Sequence, residues 1–228
     1  MRILVTSGGT SEKIDNVRSI TNHATGTLGK VITEELLSKG ESVTLVTTKS
    51  SVRPSSHSHL SIVEINDVAN LIETLEPLVK THDVLIHSMA VSDYTPVFMT
   101  DFEKVKNAEQ LELFLEQKNT ETKISSDSDY QVLFLKKTPK VISLVKQWNP
   151  SIRLIGFKLL VDVSKDELIE TAKKSLVTNQ ADYILANDLS EITSLTHHAY
   201  LVSETEIYEA DTKKEISQLI YERVIKNA

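Results

Sequence analysis

The chain has no cysteine among its 228 residues. Disulfides, thiolate zinc sites and cysteine nucleophiles are thereby excluded. No apolar run approaches the roughly 20 residues that a membrane helix requires, and neither an internal repeat nor a low-complexity tract occurs. An excess of positive charge is also lacking. The net charge is −7 and the pI 5.5, which argues against general binding to nucleic acid and leaves room only for a local basic patch. A dinucleotide fingerprint packs its three glycines into about six residues; that compact motif is absent, as are a triphosphate P-loop and a Tyr-x-x-x-Lys pair at a helical position. Histidines stand at 23, 57, 59, 82, 87, 197 and 198. They lack the spacing of a metal cage, and His197-His198 reads as strand surface.

A hydrophobic content of 40% supports a substantial core. The stretch that organises the chain is 3–29. Ile3-Leu4-Val5 reads as a buried strand. Ser7-Gly8-Gly9-Thr10 follows, then a polar excursion with Arg18, Asn22 and His23. Ala24-Thr25-Gly26-Thr27-Leu28-Gly29 leads into an amphipathic helix from Lys30. Glycines let backbone N–H groups approach an anion, and a helix N-terminus adds about half a positive charge. A strand, glycines and a helix start are therefore the parts of a phosphate site. The long insert between Gly8-Gly9 and Gly26 sets it apart from a simple dehydrogenase motif.

Strands are expected at 42–47, 60–65 and 83–87. Asp67 is the expected N-cap of a helix through Val79, with Val68, Leu71, Ile72, Leu75 and Leu78 on one face. The segment Ser88-Met89-Ala90-Val91-Ser92-Asp93-Tyr94 follows the carboxyl end of the fourth strand, where ligands of open α/β sheets sit. Residues 95–129 are less regular, with a helix expected over 108–117. The polar stretch 119–128 has only Ile124 to anchor it and is expected to be mobile. Beyond it the sequence predicts a strand at 130–135, a helix with Pro139 in its first turn, and a strand at 153–158. Ser164 and Glu167 form an expected capping box for a helix over 165–178. A strand at 182–188, a hairpin of 200–203 with 206–208 and a closing helix over 213–226 complete the chain. The pattern predicts an α/β fold, Rossmann-like and doubly wound, with a mostly parallel sheet, the hairpin and the closing helix. Residues 1–228 read as one domain, the second half extending the same sheet.

Four segments, SGGT (7–10), VRSITNHATGTLG (17–29), MAVSDY (89–94) and GFK with AND (156–158, 186–188), together resemble phosphopantothenate–cysteine ligase, also called phosphopantothenoylcysteine synthetase. Order and spacing agree over nearly the whole chain. The resemblance implies a two-step reaction. The carboxylate of 4′-phosphopantothenate attacks the α-phosphorus of a nucleoside triphosphate and releases pyrophosphate. The amine of L-cysteine then displaces the nucleotide. CTP is the implied co-substrate with ATP as the variant, and Mg²⁺ neutralises the triphosphate. Many bacterial relatives are fused behind a flavin-dependent decarboxylase. This chain begins at the ligase strand and is expected to be a stand-alone, cytoplasmic form without flavin, binding neither membrane nor nucleic acid.

By the same resemblance Gly8, Ala24, Gly26 and Gly29 line the nucleotide site, although glycines also serve simply as turns. Asn22, in isolation a turn former, would orient the acyl phosphate, since an amide both donates and accepts. Arg18 has no evident anionic partner in its own stretch. A surface ion pair is the bland reading; the family uses this guanidinium on the neighbour's substrate across a homodimer. Ala90 and Asp93, otherwise packing and turn residues, would contact substrate. Phe157, otherwise core, would lie against the base with Asn187 nearby. Lys123, otherwise solvated, would be a catalytic lysine on a mobile lid at 119–128, with Lys104 or Lys106 as substitutes. Metal ligands are not identified by the sequence. Two other classes compete: an NAD(P)-dependent Rossmann-type reductase, and a nucleotide-binding regulatory module. Pyrophosphate release separates the ligase from both.

Overall fold

The computed structural model describes residues 1–226. β1 (Arg2–Ser7) runs into a short hairpin, β2 (Ser11–Lys13) with β3 (Ser19–Thr21), and then α1 (Thr27–Ser38). β4 (Ser42–Thr48), β5 (Leu60–Ile65), α2 (Val68–Val79) and β6 (Val84–His87) follow. β7 (Tyr94–Asp101) leads to α3 (Phe102–Lys106), a 3-10 turn at Leu111–Leu115 and β8 (Gln131–Lys137). After α4 (Val141–Trp148) come β9 (Arg153–Leu160), α5 (Lys165–Asn179) and β10 (Tyr183–Asp188). β11 (Ala199–Val202), β12 (Ile207–Ala210) and α6 (Lys213–Ile220) close the chain.

The main sheet has the order β12-β11-β10-β9-β6-β1-β4-β5. Neighbours from β5 to β10 are parallel, and β11 and β12 add an antiparallel hairpin at one edge. The chain winds from β1 outward to β5, then restarts at β6 and winds the other way. That reversal lies between β1 and β6. In such sheets a crevice opens beyond the carboxyl ends of the two strands.

Strand side chains alternate between faces, and the core divides accordingly. Leu4 and Leu85 pack with Leu71, Leu75, Val145 and Leu168 of α2, α4 and α5. Ile3, Val5, Val84 and Ile86 pack with Ile32, Leu36, Ile216 and Ile220 of α1 and α6. Each fully buried Leu or Ile contributes roughly 1.5–3 kcal/mol relative to exposure. The stable part of the molecule is thus the sheet centre, and the loops at its carboxyl edge are free to carry a site. Asp67 caps α2 by accepting from Asn70 N (2.9 Å). Glu12, buried on β2, accepts from Val68 N (2.8 Å) and fastens the first hairpin to the same helix end.

Several expectations needed correction. The strand expected at 130–135 is β8, and it leaves the main sheet to pair antiparallel with β7 in a separate ribbon. Pro96 hid β7 in the sequence, because proline cannot donate to a ladder; the register shifts between Pro96 and Phe98. The helix expected over 108–117 is only a 3-10 turn. Its leucines, Leu111, Leu113 and Leu115, stay more than half exposed while Phe114 alone is buried, so no helical face is satisfied. Pro139 precedes α4, whose N-cap is Lys140. Ser164 accepts from Glu167 N (3.2 Å), but among the described residues no return bond from the Glu167 carboxylate completes the box. The last helix is α-helical to Ile220 and π-helical over Tyr221–Ile225.

Candidate active site

Beyond the carboxyl ends of β1 and β6 the chain continues as two extended segments lying side by side. Ala90 N donates to Gly8 O (2.8 Å) and Thr10 N to Ala90 O (3.0 Å). Ser92 N donates to Thr10 Oγ1 (2.9 Å), whose hydroxyl donates to Ser92 Oγ (3.0 Å). Segments 7–10 and 88–93, distant in sequence, are thereby joined into one wall. The N-terminus of α1 packs against that wall. Gly26 is its N-cap, at φ 80°, a conformation that costs other residues roughly 1–2 kcal/mol. Gly29 sits one turn in, where a Cβ would lie 2.3 Å from Ser7 Oγ. The helix end can approach β1 only because that side chain is missing.

These elements enclose a cleft of about 690 Å³. Gly8, Ala24, Gly26, Gly29, Ala90, Asp93, Phe157 and Asn187 all line it. So do three lysines, Lys140, Lys158 and Lys213, against a single carboxylate, Asp93. Asp93 itself pairs with Lys140 at 3.1 Å. The balance of charge and the N-terminus of α1 both suit a polyanion. Three histidines also line the cleft, His23, which is exposed, and two that are buried. His87, the last residue of β6, is buried, and its Nδ1 lies 2.8 Å from Thr6 Oγ1. Burial, with Lys140 nearby, pushes its pKa down to about 4. His197 is also pushed down to about 4, by burial and then Lys213. Both imidazoles are neutral near pH 7 and serve as hydrogen-bonding groups. Among the described residues no cluster of three or more histidines and carboxylates is placed to hold a metal ion.

Asn22, Arg18 and Lys123 stand outside this lining. Asn22 is exposed beside it, its carbonyl accepting from Ala24 N (2.8 Å). Arg18 has an anionic partner after all: Nε and Nη2 donate to Asp15 Oδ2 at 3.0 and 2.6 Å. The expectation failed because Asp15 lies across a tight turn, where backbone folding rather than spacing brings the two together. Arg18 Nη2 also donates to Ile124 O (2.9 Å), and Ile124 N donates to Asp15 Oδ2 (3.1 Å). Arg18, then the N–H groups of Val17, Arg18 and Ile124, hold the Asp15 carboxyl well below the usual range despite its burial. Lys123 therefore precedes a residue tied to the first hairpin. At the other end of its segment, the Asn119 amide brackets Met99, accepting from its N (2.7 Å) and donating to its O (3.0 Å). Lys104 and Lys106 lie on α3 beside Asp101 and Glu103, at 3.5 and 3.6 Å.

Sequence reasoning did not single out His87, Lys140, Lys213 or His197. His87 could have been found, since it ends a strand at the edge where ligands bind. His197 could not: it follows an irregular stretch, and the His197-His198 pair carries the pattern of strand surface. It is 6% exposed, because its N–H donates to Asp211 O (2.7 Å) and draws the ring in behind Asn187.

Comparison with known proteins gives a consistent result. Residues 1–122 and 114–227 match the family model described as DNA/pantothenate metabolism flavoprotein C-terminal domain. A coenzyme A biosynthesis bifunctional protein CoaBC of Thermococcus kodakarensis is 33% identical over 227 residues, covering 99% of this chain and 51% of the relative. The chain spans about half the length of the curated relatives that it matches first. A crystal structure of the DNA/pantothenate metabolism flavoprotein from Streptococcus pneumoniae is 55% identical, covers 100% of both chains and superposes with a TM-score of 0.96. The C-terminal domain of a CoaBC protein is 25% identical, with 98% and 93% coverage and a TM-score of 0.73.

Proposed function

The chain belongs to the family of the DNA/pantothenate metabolism flavoprotein C-terminal domain, and from that premise we propose that it ligates 4′-phosphopantothenate to L-cysteine at the expense of a nucleoside triphosphate, CTP or ATP. The observation that carries the reading is the cleft itself. It joins the two glycine segments, Ala90, Asp93, Phe157 and Asn187 around a surplus of lysines. A carboxylate is a poor acylating agent and must be activated before an amide can form. In the first step a carboxylate oxygen of phosphopantothenate bonds to the α-phosphorus, and the bond to pyrophosphate breaks. In the second, the cysteine nitrogen bonds to the acyl carbon, the nucleoside monophosphate leaves, and the ammonium protons go to solvent. Neither step transfers electrons, so the reaction needs no flavin.

The residues take roles that fit this chemistry. N–H groups of the Gly8-Gly9 segment and of α1 would hold phosphate oxygens. Lys140, Lys158 and Lys213 would offset the polyanion, and Phe157 with Asn187 would hold the base. Asn22, at the rim, would orient the acyl phosphate for the amine. Mg²⁺ would supply charge neutralisation on the triphosphate; a metal carried by phosphate oxygens needs only one or two carboxylates, and Asp93 is the one in the lining. Lys123 would reach the α-phosphate when segment 119–128 closes over the cleft. Arg18 would serve the neighbour's substrate in a homodimer, a use supported by its position outside the lining of its own cleft. Exposed Leu111, Leu113, Leu115 and Tyr130 on the arm beyond the ribbon supply apolar surface for a second copy. Among the described residues no helix is long and apolar enough to cross a membrane, and we place the reaction in the cytoplasm. Incubation with phosphopantothenate, cysteine, Mg²⁺ and either CTP or ATP, followed by mass analysis, tests the proposal. The amide product and pyrophosphate are expected. Nucleotide hydrolysis alone, or no turnover, would overturn it.

A further inference from the structure

His87 and the start of α4 border a part of the cleft on the face of the sheet away from α1. Thr6 and His87 are partners across β1 and β6, two residues beyond the partners Leu4 and Leu85. Side chains alternate along a strand, so Thr6 and His87 share the face that packs with α2, α4 and α5, while α1 covers the other. His87 also pairs with Gly156 of β9. Ile142, in the first turn of α4, packs over that glycine so closely that a Cβ there would lie 2.6 Å from Ile142 Cδ1. The N-terminus of α4 therefore stands beside the His87 ring. The N–H groups of Val141 and Ile142 have no partner among the described residues, and the N-cap, Lys140, supplies no side-chain bond. Lys140 is itself paired with Asp93 at 3.1 Å.

The ring presents a donor to the same place. Thr6 is fully buried, and Met89 N already donates to its Oγ1 (3.3 Å). Among the described residues the only acceptor for the Thr6 hydroxyl proton is His87 Nδ1, at 2.8 Å. A ring protonated on Nδ1 alone would leave that buried hydroxyl proton unpaired, which is costly. The proton of the neutral ring is therefore on Nε2. Nε2 bonds to nothing among the described residues, and His87, 6% exposed, lines the cleft. Three N–H donors without partners thus meet at a buried spot beside Met89, Val91 and Ile142, which also line the cleft.

We propose that His87 Nε2 and the N–H groups of Val141 and Ile142 form the subsite for the α-carboxylate of the amino-acid substrate, with Met89, Val91 and Ile142 around its side chain. The proposal rests on the ligase reading above and deepens it by placing the second substrate. Donors at a helix N-terminus suit an anion. With Lys140 offset by Asp93 and His87 neutral, they suit a singly charged carboxylate better than a phosphate. The phosphates have the glycine segments and α1, on the other face of the sheet. A hydrogen bond to a charged group at such a site is worth roughly 10- to 100-fold in affinity.

The test is steady-state kinetics of the intact chain with phosphopantothenate, Mg²⁺ and CTP or ATP, and with L-cysteine or L-cysteinamide as the amine, the amide being followed by mass analysis. Cysteinamide keeps the amine and the thiol but has no carboxylate. Wild type is expected to prefer cysteine by roughly 10- to 100-fold in kcat/KM. In His87→Leu, kcat/KM for cysteine should fall about 10-fold through KM, while kcat/KM for cysteinamide and the KM for phosphopantothenate and nucleotide change less than threefold. His87→Gln, which keeps an N–H donor on a side chain of similar reach, should recover most of the loss. Equal use of the two amines by wild type, or an equal loss for both in a folded His87→Leu, would overturn the proposal and leave the ligase reading in place. A rise in KM confined to phosphopantothenate or nucleotide would also overturn it and assign the spot to a phosphate. No amide from either amine in wild type would overturn both readings. Should His87→Leu not fold, the wild-type ratio decides.

Discussion

Gly29→Ala is expected to destabilise the protein, although alanine normally improves a helix. In an exposed helix interior the change from glycine gains about 0.8–1.0 kcal/mol. Here the new Cβ would stand 2.3 Å from Ser7 Oγ and 2.5 Å from Ser7 Cβ. Ser7 is the last residue of β1, pinned between β4 and the start of α1, with its hydroxyl donating to Gly26 O (3.0 Å). A rotamer change moves Oγ but not Cβ, so α1 must shift. Overpacking of this kind costs about 1–3 kcal/mol, and after the helix gain a net loss of about 1 kcal/mol remains. Urea unfolding measures it. In a Ser7→Gly background the same change should become neutral or stabilising, giving a coupling energy of at least about 1 kcal/mol between the two sites. The shift also moves the N–H groups at the start of α1, so the KM for nucleotide should rise more than kcat falls. Stabilisation by Gly29→Ala in the wild-type background, by the amount typical of an exposed helix, would refute this account of the wall.

Four further outcomes are expected. Asn22→Asp should slow amide formation more than activation, so that acyl nucleotide accumulates with cysteine present; normal product formation would remove Asn22 from the second step. Lys123→Gln should lower the first step by roughly 10²–10³ with the fold intact, and protease should cut 119–128 quickly without ligand and slowly with nucleotide and phosphopantothenate. Equal protection in both states with normal turnover would move that role to Lys104 or Lys106. Mixing Arg18→Ala with Asn22→Ala chains should restore part of the activity, since one composite site keeps both residues; full activity in a demonstrated monomer would refute a shared site. Finally, His87 and His197 sit near a pKa of 4 against 6.5 for an ordinary histidine. The unfolded chain binds more protons between those values, so stability is complete above about pH 6.5 and is lost as pH falls. From pH 7 to 5 the loss is about 2 kcal/mol per histidine. Urea titrations of wild type and His87→Asn should differ in slope over that window; identical slopes would contradict it.

The alternating face of β1, the apolar stripe of α2 and the Asp67 cap were legible because each is a local pattern repeated over several residues. The glycine segments were legible as site elements for the same reason, and eight of the expected residues do line the cleft: Gly8, Ala24, Gly26, Gly29, Ala90, Asp93, Phe157 and Asn187. What escaped notice lies in elements too short to show a pattern, in turns, or in partners far along the chain. β2 and β3 are three residues each, too short to display a period. β7 is a strand because β8 pairs with it across a 29-residue excursion, from Phe102 to Tyr130. Asp15 becomes a hub only when Arg18 and Ile124 close on it. His197 acquires its environment from Asn187 and Asp211, on two other elements.

The central claim is that the carboxylate is activated as an acyl nucleotide in this cleft. It is tested most directly with phosphopantothenate carrying ¹⁸O in its carboxylate, turned over with cysteine and CTP or ATP. The account predicts that one labelled oxygen appears in the released nucleoside monophosphate and none in pyrophosphate. Label in inorganic phosphate with release of a nucleoside diphosphate, or amide formed with no label in any phosphate, would contradict it.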